Sequence, residues 1–323
     1  MAACWQPRFA SRAVVAPSAA RLSAWLEPRL PGLLAAELPV RHLTPVGGGC
    51  IHAAWHLELA GGVSLFAKTN RPGALPMLQA EADGLKALAE VAVGGLTIPA
   101  PLALGEFDGQ ALLVLPWLEL DGRGSSDGWQ RLGGDLARLH RASLPLNRGR
   151  GYGFGSDNFI GSGPQPNGWL ANWGTFFAER RLAPQLELLR RSGVRLEGSD
   201  CLLEQVPGWL SDHEAQPVLV HGDLWSGNAG LLEGGGGALF DPAAYWAYRE
   251  VDLAMARLFG GFPAAFFAGY QQEWPLPPGA EGRVELYNLY HLLNHANLFD
   301  GGPGGSYSRQ AQATIQRLLR EWG

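Results

Sequence analysis

The hydrophobic period of this chain changes once, near residue 120, and that change restricts the fold more than any other feature. Upstream, Ile51, Ala53, Trp55, Leu57 and Leu59 alternate with His52, Ala54, His56 and Glu58, the period of a strand with one buried face. Gly61-Gly62 then reverses the chain into VSLFAKTN, a hairpin that ends near Lys68. Residues 77–90 place Leu78, Glu81, Leu85 and Leu88 at helical spacing, interrupted only by Gly84. ALLVL at 111–115 suits a buried strand, closed by Pro116 because proline has no N–H to donate. The run DGRGSSDG at 121–128 reads as a linker leading into a helix cap. Beyond it Trp129, Leu132, Leu136 and Leu139 recur three or four apart, as do Ile315, Leu318 and Trp322. The pattern predicts an α+β protein: an N-terminal extension over 1–25, a β-rich lobe with one helix over 26–118, and a mainly helical lobe over 119–323.

Composition narrows the function classes. At 46% hydrophobic and 17% charged, 323 residues can bury a large core. The charge, 25 basic minus 30 acidic residues or −5, excludes a simple basic nucleic-acid binder. The longest apolar runs, such as that ending at residues 111–120, fall short of the ~18–20 residues of a membrane-spanning helix, so no membrane partner is expected. Cys4, Cys50 and Cys201 are too scattered for a disulfide framework or a Cys-x-x-Cys metal pair, which suits a reducing compartment. Arg8, Arg12 and Arg21, with no acidic residue before Glu27, resemble an organellar transit peptide. The first residues read as an ordinary extension of a cytoplasmic protein, with organellar import as the alternative.

The polar residues that stand out lie in 217–243, PVLVHGDLWSGNAGLLEGGGGALFDPA, which reads as short strands at 218–220, near 229–233 and at 238–240, joined by loops. HGDLWSGN sets Asn228 five residues after Asp223, and Asp241 follows thirteen later. Kinase-type phosphoryl transfer needs this set: an Asp to orient and deprotonate the attacking hydroxyl, an Asn on the metal, and a second Asp bridging Mg2+ to phosphates. An Asx-rich surface turn is the plainer reading of the spacing alone. The N-terminal lobe supplies the complement in order. Gly47, Gly48 and Gly49 let backbone N–H groups approach phosphates. Lys68, one of only two lysines beside Lys86, follows on a strand, and Glu81 on the next helix can hold its ammonium. Taken singly, these are a hairpin turn, a solvated strand end and an exposed helix face. Their order together is that of an ATP-dependent phosphotransferase.

Rival nucleotide folds fail on residues. No G-x-x-x-x-G-K-[ST] is present, and YGFGSDNFIG at 152–161 does not fit G-x-G-x-x-G after a strand. His291 and His295 are spaced like a helical zinc pair, but Leu292 replaces the required Glu and no third ligand follows.

At this point the sequence resembles the fructosamine kinase (ketosamine 3-kinase) family, of the protein-kinase-like superfamily that includes aminoglycoside phosphotransferases and choline kinases. HGDLWSGN, DPAAYWAYREVDLAMARLFGGF (241–262), LYNLYHLLNHANLF (286–299) and PQPNGWLANWGTFFAERRLAPQL (164–186) carry the resemblance, which covers roughly residues 25–320. It implies a kinase-like bilobal fold with ATP and Mg2+ as cofactors. Asp223 would be the catalytic base, Asn228 and Asp241 the metal ligands, and Lys68 and Glu81 the phosphate-binding pair. Pro116, Trp117 and Leu118 would form the hinge that meets adenine through the Pro116 carbonyl and the Leu118 N–H, although many members carry an acidic residue at the Pro116 position. The implied reaction phosphorylates the 3-hydroxyl of a ketosamine, free or on a protein lysine. A phosphate on C3 lies β to the carbon bearing nitrogen through an enolisable ketone, so its expulsion frees the amine and begins deglycation.

Three further expectations follow. Trp225 offers a flat wall to a sugar or lysine stem, or else packs in the core. The helix with Tyr287, Tyr290, His291, Asn294 and His295 lines the same pocket, or else is an ordinary buried amphipathic helix. Cys50, in the glycine loop where family members also tend to carry Cys, is an oxidation-prone thiol able to link two copies, or else a small apolar filler. The expected state is a monomer or a weak, possibly redox-linked homodimer. The rival readings are a kinase of another hydroxylated metabolite, such as an aminoglycoside or choline, and a non-catalytic ATP-binding regulator.

Overall fold

The computed structural model describes residues 17–29, 39–47, 51–122, 124–211 and 215–323. Gly48, Gly49 and Cys50 lie outside the described residues, so the expectations placed on them stay with the sequence. The chain divides into two compact units: Met1–Lys86 with Pro99–Glu119, and Ala87–Ile98 with Leu120–Gly323.

The first unit is built on a five-stranded antiparallel sheet. Helix α1 (Ala19–Leu26) precedes β1 (Val40–Val46), β2 (Ala53–Leu59), β3 (Ser64–Asn70), α2 (Leu75–Val91) and the short β4 (Leu96–Thr97), then β5 (Ala103–Phe107) and β6 (Gln110–Pro116). The sheet order is β1-β2-β3-β6-β5, with β3 at its centre. Alternation works as the sequence implies: Trp55, Leu57 and Leu59 of β2 are buried, and Leu65 and Ala67 of β3 join them in one core with Leu112 and Val114 of β6. Leu22 and Leu26 of α1 enter that same core, so the final turns of the stretch expected as an extension are structural. Each such leucine contributes roughly 1.5–3 kcal/mol on burial. Pro116 ends the ladder as expected, itself pairing with Leu65 as the last residue of β6.

β4 belongs to the second unit, where it runs parallel to β11 (Gly237–Leu239) beside β10 (Ala229–Leu231). The rest of that unit is mainly helical. In chain order come α3 (Ser126–Ser143), β7 (Asn158–Ile160), β8 (Gly163–Gln165), α4 (Trp173–Phe176), a π-helical stretch (Phe177–Leu182), α5 (Ala183–Arg191) and α6 (Ser199–Trp209). After β9 (Pro217–Val220) and the β10–β11 hairpin come β12 (Tyr245–Tyr248), α7 (Glu250–Leu258), α8 (Ala264–Glu273), α9 (Ala280–Phe299) and α10 (Ser306–Trp322). Ser125 caps α3 by accepting the Gly128 N–H at 3.0 Å, as the linker composition predicts. Helices α3 and α8 meet backbone to backbone, since a Cβ on Gly133 would lie 1.9 Å from the Phe266 carbonyl oxygen. Among the described residues no helix is long and apolar enough to cross a membrane.

Two pairings place the polar loops side by side. β9 pairs with β12, from Val220↔Tyr245 to Pro217↔Tyr248, and β10 pairs with β11, Ala229↔Leu239. The loop leaving β9 and the loop entering β12 are therefore neighbours, anchored at both ends by buried strands.

Candidate active site

Asp223 and Asn228 stand on the loop between β9 and β10, and Asp241 on the loop between β11 and β12. The Asn228 amide nitrogen donates to the Asp223 backbone carbonyl at 2.9 Å, to Asp223 Oδ2 at 3.3 Å and to the Asp241 carbonyl at 3.3 Å. One side-chain amide thus ties the two loops together, and its oxygen is the atom left to serve another ligand. Asp241 adopts φ 57°, in the left-handed region that Asp tolerates better than most residues, as strained positions at functional sites often do. Gly222 has φ 82°, and a Cβ there would lie 2.2 Å from the Ala243 carbonyl oxygen, so only glycine fits between His221 and Asp223.

Burial and the Asp241 carboxylate together push the Asp223 carboxyl up to about 7, while the Asn228 amide opposes them. Two carboxylates brought together this way form an electrostatic sink for a cation. His221 is fully buried, and burial lowers its pKa, so it is neutral. Its Nε2 donates to the Phe240 carbonyl at 2.9 Å, which fixes the tautomer and turns Nδ1 toward the Asp223 N–H at 3.3 Å. This histidine joins the two loops from beneath.

Sequence reasoning missed what holds His221. Asp252 of α7 accepts the His221 and Gly222 N–H groups, each at 2.8 Å. Its Oδ2 also meets His140 Nε2 of α3 at 3.2 Å, and His140 Nδ1 meets the Tyr270 hydroxyl of α8 at 2.9 Å. Burial alone would raise the Asp252 carboxyl, but its bonds and proximity to His140, His221 and Gly222 hold it below the usual range. The available signal was one acid in the apolar run VDLAMARL.

A second unanticipated network secures the Asp241 side. Gln165 of β8 donates to the Ala243 carbonyl at 3.1 Å, and Asn158 of β7 to the Ala244 carbonyl at 2.9 Å. Asn167 donates to Asn158 Oδ1 at 2.7 Å, and the buried Arg181 donates to Asn167 Oδ1 at 2.7 Å. The Arg181 guanidinium lies 3.7 Å over the Tyr245 ring, so its charge is met by π-faces and amide oxygens.

In the first unit, Lys68 Nζ lies 2.8 Å from Glu81 Oε1, and the two residues are only 5% and 9% exposed. Lys68 is therefore not a solvated strand end, nor Glu81 an exposed helix face. The register sets Lys68 opposite Ala54 and Leu113 on the central strand. Trp117 packs at a tilt against His56 with centroids 4.0 Å apart, just before Leu118. Gly47 follows β1 in open space, where a Cβ would meet nothing within 4 Å.

Trp225 is half-buried, its indole lying over Gly227, where a Cβ would come within 2.2 Å of the ring. His291 and Asn294 sit within packed α9, 3% and 2% exposed, and burial pushes the His291 imidazole down to about 3. Of the histidines on that helix, only His295 reaches solvent.

Comparison with known proteins adds to this geometry. A family model described as fructosamine kinase matches residues 32–321. A Synechocystis protein named "probable ketoamine kinase" is 46% identical over 275 residues, 85% of this chain and 89% of that protein. A crystal structure of a "putative fructosamine-3-kinase" from Haemophilus somnus superposes with a TM-score of 0.81 at 28% identity, covering 93% of this chain and 97% of that one. The aminoglycoside phosphotransferase APH(4)-Ia superposes with a TM-score of 0.58 at 17% identity over 92% of this chain and 99% of its own, a likeness of fold alone. The kinase-like α+β architecture expected from the sequence is thereby borne out.

Proposed function

We propose, on the ground that the chain belongs to the fructosamine kinase family, that it transfers the γ-phosphoryl group of ATP to the 3-hydroxyl of ketosamines, free or on protein lysines. The observation that carries this reading is the Asn228 amide bound to both Asp223 and the Asp241 loop, within a family match spanning nearly the whole chain. The new bond joins the substrate O3 to the γ-phosphorus, the bond to the β,γ-bridging oxygen of ATP breaks, and the hydroxyl proton passes to Asp223. General-base assistance of this kind contributes typically 10²–10⁴-fold.

The donor set also suits Mg2+. Two carboxylates and an amide offer hard oxygens. That fits an ion shared between one or two carboxylates and substrate phosphates. Asp241 and Asn228 would hold the ion, which when bound neutralises phosphate charge. Lys68, oriented by Glu81, contacts the α- and β-phosphates, with backbone support from Gly47, Gly48 and Gly49. The segment Pro116, Trp117, Leu118 receives adenine. Trp225 gives the sugar a flat wall. The protein works in the cytoplasm as a monomer or weak homodimer.

The test is ATP consumption with ribulosyl-lysine, fructosyl-lysine, an aminoglycoside and choline in parallel. Turnover of a ketosamine supports the reading and ranks the sugars. Turnover of the aminoglycoside or choline alone moves the activity to another hydroxylated metabolite, and ATP binding without turnover points to a regulator.

A further inference from the structure

The end of α9 carries a group of aromatic rings that the reading above leaves without a role. His295 lies between Phe259, at 4.7 Å between centroids, Phe299 at 5.3 Å and Tyr307 at 5.1 Å. Phe259, just past α7, is 40% exposed, one of few large apolar side chains left so open among the described residues. The segment after Phe259 reaches the loop that carries Asp223: a Cβ on Gly261, two residues on, would lie 2.2 Å from Ser226 Oγ, next to Trp225.

The polar atoms around the rings favour a cation. His295 Nδ1 lies 2.8 Å from the His291 carbonyl, which can only accept, so the ring carries its proton there and leaves Nε2 as an acceptor. Burial keeps this imidazole neutral. The Asp300 carboxylate accepts the Tyr307 N–H at 3.1 Å and the Ser308 N–H at 2.6 Å, which fixes Tyr307 and sets a negative charge beside the rings. Ring faces, an imidazole acceptor and a nearby carboxylate together make a site for an alkylammonium group.

We propose that Phe259, His295, Phe299 and Tyr307 form a subsite for the amine end of the substrate, the protonated secondary amine bonded to sugar C1 and the first methylenes beyond it. The inference rests on the ketosamine reading, in which C1 is two bonds from the C3 that bears the reacting hydroxyl. The subsite separates ketosamines from simple ketoses, because only the ketosamine brings an ammonium to the rings.

The experiment compares kcat/KM for Nα-acetyl-ribulosyl-lysine with that for an ether analogue in which oxygen replaces the amine nitrogen, in wild type and in Phe259→Leu and Tyr307→Leu. Wild type favours the amine about tenfold, the scale of a partly desolvated cation–π contact. Each variant brings that ratio toward one. A ratio that holds in both variants, or equal losses on both substrates, overturns the subsite and leaves the rings as packing. If wild type turns over neither compound, the activity reading fails, and calorimetric titration with N-methylbutylamine decides the subsite. Binding lost in Phe259→Leu upholds it, whereas equal binding, or none to wild type, overturns it.

Discussion

Oδ2 of Asp252 accepts the backbone N–H of His221 at 2.8 Å across 31 residues of sequence, so the loop that carries Asp223 is held by its main chain, and Asp223 is aimed by a helix that does not carry it. Asp252→Ala leaves two buried N–H groups and His140 without their acceptor. The expected loss is about 3–5 kcal/mol of stability, read from the denaturant midpoint. Well below the melting temperature kcat also falls, because the loop is no longer fixed. Asp252→Asn, which keeps an acceptor, loses less of both.

The Lys68–Glu81 pair separates stability from activity. Lys68→Met and Glu81→Leu each leave one buried charge behind and lose about 3 kcal/mol. The double variant regains most of that stability in thermal melts and none of the activity with ATP. A double variant as unstable as either single one contradicts this account.

Asp223 carries a cost that its replacement relieves. Its folded pKa, about 7, lies above that of an unfolded aspartate, so its ionisation opposes folding progressively as pH rises from about 4 to 7 and fully above that. Without metal or nucleotide, Asp223→Asn therefore melts higher than wild type at pH 8, by several degrees at roughly 2–4 °C per kcal/mol, and the gap closes toward pH 4. Its turnover falls by about 10²–10⁴.

His291 works in the opposite pH direction. It is neutral when folded until about pH 3, whereas in the unfolded chain it takes up a proton near its usual 6.5, so it lowers stability progressively as pH falls through that window. Its Nδ1 is buried without a hydrogen-bond partner. His291→Leu should flatten the acid side of the melting-temperature profile between pH 6.5 and 4 and leave the profile above pH 7 nearly unchanged.

What could be read from the sequence was local in character. β2, β3 and α2 follow from side-chain periods that a short window contains, and Asp223, Asn228 and Asp241 share one compact segment. The supports of that segment come from elsewhere: His140, Asp252 and Tyr270 stand on three helices, and Asn158, Gln165 and Arg181 lie 60 to 83 residues before Asp241. Their hydrogen bonds arise only when the helices pack, so no spacing announces them. β4 shows the same limit, since two residues after a helix become a strand only because β11 lies beside them. The strand expected near 229–233 ends at Leu231, because Leu232 turns into the four-glycine reversal with its N–H on the Gly236 carbonyl.

The central claim is tested most directly by locating the transferred phosphate. Ribulosyl-lysine is incubated with Mg·ATP and the protein, and the product is read by phosphorus NMR coupled to the sugar protons, with Asp223→Asn alongside. The account predicts a single phosphate coupled to the proton on C3, absent with the variant, followed by release of free lysine. A phosphate at another carbon, or equal product from Asp223→Asn, would contradict it.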